Sequence, residues 1–86
     1  MRRPKHTVAT SVADIVDAFR CGLSSDNGSE AAGDAFLAVS FANRRRFDIA
    51  LDHSHKAAQC PVHGAAWRTL DERVADAAAA FSDRHH

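Results

Sequence analysis

Four side chains with metal-ligand chemistry fall within one short run, D-H-S-H-K-A-A-Q-C-P-V-H: His53, His55, Cys60 and His63. Imidazoles and a thiolate are what tetrahedral zinc takes, so zinc is the one cofactor the sequence raises, with these four as its ligands. Their spacing, H-x-H-x4-C-x2-H, is not that of a zinc finger, and a histidine-rich polar connector would have the same composition. Pro61 suits the first position of a helix, which makes Cys60 its N-cap and His63 its third residue. A thiol placed there has its thiolate favoured by the helix dipole. Cysteine catalysis also needs a pocket, an oxyanion site and an orienting group. A chain with so little core has scant material for a cleft, and no enzymatic role is expected. Cys21 is the other thiol, and a Cys21–Cys60 disulfide is an alternative use of the pair.

Two other groups bear on binding. Arg44, Arg45 and Arg46 form an uninterrupted basic run suited to docking a partner or contacting phosphates. Asp26, Glu30 and Asp34 in the turn-rich segment S-S-D-N-G-S-E-A-A-G-D are too few for a calcium loop. Trp67 could anchor an interface, but its place on an apolar helical stripe favours the core.

The elements that position these groups are read from periodicity. In F-L-A-V-S-F-A-N-R-R-R-F-D-I-A-L, residues 36–51, the large side chains Leu37, Val39 and Phe41, then Phe47, Ile49 and Leu51, recur at every second position. Period two predicts half-buried strands. The register that puts all six on one face pairs Phe41 with Phe47, Val39 with Ile49 and Leu37 with Leu51. Arg44–Arg46 then lies at the hairpin tip, and His53 and His55 extend the core-facing side of the second strand. The rival reading is a helix through Glu30 to about Gln59, giving an all-α three-helix fold.

Before the hairpin, Ser11 and Asp14 predict a capping box, Val8, Val12, Ile15, Val16, Phe19 and Leu23 share an apolar stripe, and Gly22 closes the helix or sits just past its end. A minor helix could begin at Ser29. After the hairpin, His63, Trp67, Leu70, Val74, Ala78 and Phe81 line a helix from Pro61 or Ala65 to Phe81 or Ser82. Its alanine-rich end leaves a smooth second surface.

The expected fold is therefore a small single α+β domain in which a helix, a two-stranded antiparallel hairpin and a second helix follow one another. It divides into a basic arm (1–6), an α-β-β-α domain (7–82) and a tail (83–86). Eighty-six residues are close to the size at which one core is marginal without a metal, a disulfide or a second copy. Basic and acidic residues balance to zero net charge, which gives no general pull toward nucleic acid or acidic membranes. No apolar run is long enough to span a bilayer and none forms a leader, so a cytoplasmic location is expected.

These features lead to a small non-enzymatic interaction or regulatory protein that binds a protein partner through Arg44, Arg45 and Arg46. By analogy of size, it could be an inhibitor-type accessory protein of a phage or mobile element. The alternative function is a zinc-stabilised nucleic-acid-binding module using the same arginines. A lone hairpin exposes two unpaired edges, so a homodimer is also expected.

Overall fold

The computed structural model describes the backbone of residues 11–84 and the side chains of residues 11–82; the basic arm expected at 1–6 lies outside these. Four helices follow in order: α1 (Val12–Ser25), α2 (Glu30–Asn43), α3 (Phe47–Ala58) and α4 (Gly64–Arg84). No strand occurs among the described residues, so the α+β hairpin fold is incorrect and the chain is all-α. The helical rival was closer. It missed the break at 44–46, which divides that span into two helices.

The period-two reading failed because alanine carries the core of α2. Ala31, Ala35, Ala38 and Ala42 are buried at helical spacing, and Ala32 joins them. The large residues between them lie on the flanks or the outer face: Val39 and Phe41 are half-buried, and Phe36 and Leu37 are exposed. In α3 the buried stripe is Phe47, Ala50, Ser54 and Ala57, again at helical spacing. Of the six large side chains expected on the core face, Phe47 is buried, Val39, Phe41, Ile49 and Leu51 are half-buried and Leu37 is exposed.

Each helix packs on the next, and α4 returns to α1, so the four close a ring. Short connections favour such antiparallel neighbours. The buried apolar set holds Ile15, Phe47, Trp67, Leu70 and Val74, and the remaining nine of its fourteen members are alanines, so the helices approach closely around a thin core. No helix among the described residues is long and apolar enough to cross a membrane.

Local signals fix the helix ends. The capping box forms as expected: Ser11 Oγ accepts from the Asp14 amide, and Asp14 Oδ2 accepts from the Ser11 amide. Gly22 does not end α1, which continues to Ser25. Its backbone lies against the Trp67 ring, and a Cβ there would overlap the ring carbons. Ser29, expected to open only a minor helix, caps the fourteen-residue α2 by accepting from the Ala32 amide.

The turn from α2 to α3 has a helix-terminating geometry that usually calls for glycine. Arg45 N–H donates to Ala42 O at 3.0 Å and Arg46 N–H to Phe41 O at 2.9 Å, the two bonds of a Schellman motif. Arg45 takes the left-handed position, at φ 63°. The three arginines thus form an interhelix turn and not a hairpin tip.

A side chain at a left-handed position is strained, and Arg45→Gly should raise unfolding stability by about 1 kcal/mol. Denaturant unfolding followed by Trp67 fluorescence measures this; an unchanged midpoint would mean that the turn accepts arginine without cost.

Candidate functional site

The most constrained polar group is Asp26, at the exit of α1. It is 3 % exposed, yet fully partnered. Trp67 Nε1–H donates to its Oδ2 at 2.7 Å, the Ser29 hydroxyl donates to the same oxygen at 2.6 Å, and the Ser29 amide donates to Oδ1 at 3.2 Å. His63 Nδ1 lies 3.8 Å from Oδ1. Burial pushes the Asp26 pKa up. The Ser29 hydroxyl, the Trp67 indole, the Ser29 amide and the His63 charge outweigh it and hold the carboxyl below its ordinary range. Sequence reasoning had weighed Asp26 only as a calcium ligand. Its spacing from Ser29 was the available signal for a local turn ahead of a helix cap.

The structure separates most of the expected zinc ligands. On a helix, residues two apart point to different sides, so His53 and His55 lose the common face a strand would give them. His53 Nδ1 lies 3.0 Å from Asp34 Oδ1 of α2, with its ring stacked on Phe41, centroids 6.2 Å apart. His55 Nδ1 lies 2.6 Å from Asp71 Oδ1 of α4, which also accepts from the buried Ser54 hydroxyl at 2.6 Å. His63 stands by Asp26. Only Cys60 and His63 meet: Cys60 Sγ accepts from the His63 amide at 3.4 Å within a turn that precedes α4, which starts at Gly64, so Cys60 is not the N-cap expected and His63 is not the third helical residue. Among the described residues, no group of three or more His, Cys, Asp or Glu side chains is placed to hold a metal ion.

Both thiols are free, Cys21 exposed and Cys60 half-buried. Cys60 borders a shallow cleft with Glu30, Asp34, Lys56 and Gln59. Among the described residues, the Cys60 thiol accepts from the His63 amide and has no hydrogen bond to a side-chain base.

The surface with most to offer is the outer face of α2. Phe36 is 58 % exposed and Leu37 38 %, adjacent at the middle of the helix. Phe19 of α1 supports Phe36 from one side, ring centroids 6.2 Å apart. Glu30 opens this face and the arginine turn closes it. Arg46 pairs loosely with Asp48 at 3.5 Å, and the Arg44 guanidinium lies over the Phe41 ring, 5.9 Å from its centroid. Asp48 is held below the ordinary carboxylate range, first by the Ile49 amide and then by Arg46. Leu37 had been placed in the core, so this face escaped sequence reasoning.

Two outcomes follow. Because the folded Asp26 pKa is depressed, its contribution is complete above the unfolded value, about 4, and is lost as pH falls through the folded one. Asp26→Asn should therefore melt clearly below wild type at pH 7, with the gap narrowing below pH about 4. Melting curves across pH check this; a gap independent of pH would assign the effect to shape and not to charge. For zinc, each imidazole already faces a carboxylate, and a chelator should leave the melting temperature unchanged. A fall with chelator, together with metal in the purified protein, would show that the four side chains regroup around an ion.

No protein-family model, curated protein or solved structure matches this chain.

Proposed function

We propose that this chain is a small binding protein that works by docking another protein on the outer face of α2, and not by catalysis. The observation that carries the reading is the exposure of Phe36 and Leu37 side by side on a helix whose alanines fill the core. Large apolar side chains on a small domain commonly mark an interaction surface when they adjoin one another. The arginine turn extends that surface. Glycine would relieve the left-handed backbone at position 45, and strain of this kind concentrates where a side chain has work to do. Arg44, Arg45 and Arg46 then supply charge at the rim of an apolar centre, the usual anatomy of a protein interface.

The same arginines support a nucleic-acid reading, since three exposed guanidinium groups on one turn could grip phosphates. Phe36 and Leu37 favour protein, because a phosphate backbone makes no use of an apolar ridge.

A photo-crosslinking residue at position 37, expressed in the native cell, should give protein adducts that weaken when Arg44, Arg45 and Arg46 are all replaced by Ser. The same probe at Arg68, exposed on α4, should give few. Equal adducts at both sites, or none at 37, would remove this reading. Steeply salt-dependent DNA or RNA binding without protein adducts would replace it with the nucleic-acid one.

A further inference from the structure

We infer that the occupant of the α2 face is a second copy of this chain, its α2 running antiparallel across a two-fold axis between Phe36 and Leu37. The inference rests on the docking surface just described and adds the identity of what covers it.

The first support is charge complementarity built into one helix. The midpoint of Glu30–Asn43 falls between Phe36 and Leu37. At 1.5 Å rise per residue, Glu30 lies about 10 Å to one side of it and Arg44 about 11 Å to the other. An antiparallel mate therefore brings the second copy's Arg44 within one residue's rise, about 1.5 Å along the axis, of the level of Glu30, and the second copy's Glu30 likewise to Arg44. Phe36 and the second copy's Leu37, and Leu37 and the second copy's Phe36, meet at the centre, with no charge between them. A two-fold interface is self-complementary in this way, whereas a parallel pairing would set Glu30 against Glu30. Among the described residues, neither Glu30 nor Arg44 forms an ion pair within its own chain.

The second support is Gly33. Glycine inside a helix is disfavoured, and no contact within the chain calls for it here: a Cβ at this position would meet no atom within 4 Å. Gly33 is exposed on the same face as Phe36 and Leu37. In the antiparallel pairing it lies opposite the second copy's Ser40. Two small residues there let the helix axes come within the 8–10 Å or so of close helix packing. One helix pair buries an area at the low end of specific interfaces, below about 1,200 Å², so the dimer forms and exchanges in the micromolar range.

Charge exchange in the full chain tests this by sedimentation or light scattering over a wide concentration range. Wild type should pass from monomer to dimer in the micromolar range. Glu30→Arg alone and Arg44→Glu alone should each raise the dissociation constant about tenfold, since two symmetric attractions become two repulsions. Mixing the two single variants should restore association, because every facing pair is then of opposite sign, and the double exchange in one chain should restore it too. Gly33→Leu should fold normally, having open space around it, and remain monomeric. Wild type monomeric at every concentration overturns the inference, as does a dimer indifferent to both charge variants. Failure here is distinct from failure of the docking surface: a monomer whose position-37 probe traps a different protein ends self-pairing and leaves the surface standing, and a probe that traps nothing ends both.

Discussion

The buried contact between Trp67 and Asp26 is the constraint on which the other parts of this chain depend. A carboxylate out of water must be satisfied by donors, and each donor to Asp26 comes from a segment whose position is thereby fixed. The Trp67 indole brings the start of α4. Ser29 brings the start of α2, and its hydroxyl oxygen, while donating to Asp26, accepts from the Ala32 amide. Asp26 itself ends α1 through its own amide on Gly22 O at 2.8 Å. Three of the four helices thus converge on one side chain, and the ring of Trp67 fits only because residue 22 has no side chain to obstruct it.

An alanine-lined interior explains both the closeness of the helices and the odd placement of the large side chains. When two helices approach to alanine distance, there is no room between them for phenylalanine or leucine, which must go to the flanks or to solvent. Phe47 and Phe81 meet at one flank, with ring centroids 5.3 Å apart, and Phe19 stacks on Trp67 at 5.8 Å. Phe36 and Leu37 have no such neighbour to cover them fully. Their exposure is a consequence of how small the core is.

What could be read from the sequence divides along the same line. The capping box at Ser11 and the stripe of Trp67, Leu70 and Val74 were legible because they follow local rules that packing did not override. The hairpin was misread because hydrophobic periodicity weighs large residues, and in α2 the informative periodicity belonged to Ala31, Ala35, Ala38 and Ala42. The break between α2 and α3 was hidden for a related reason. Its left-handed residue is Arg45, where a glycine would have announced a helix end. Once 36–51 was taken as strands, His53 and His55 were placed on a common face, whereas on α3 they turn to different neighbours, Asp34 and Asp71.

The histidines have a role in this architecture that needs no ion. Alanine contacts are nearly featureless, so a seam built from them specifies the spacing of two helices better than their register. Along these seams the polar pairs are specific. His53 meets Asp34 between α3 and α2, and His55 and Ser54 meet Asp71 between α3 and α4. His63 meets Asp26 where α4 approaches the α1–α2 connection. Sliding either neighbour past α3 by one residue, about 1.5 Å, would strip an acceptor from a side chain that is wholly or partly out of water. An apolar interior of small residues and a set of directional pairs at its margins are therefore complementary. The first brings the helices together, and the second decides how they stand.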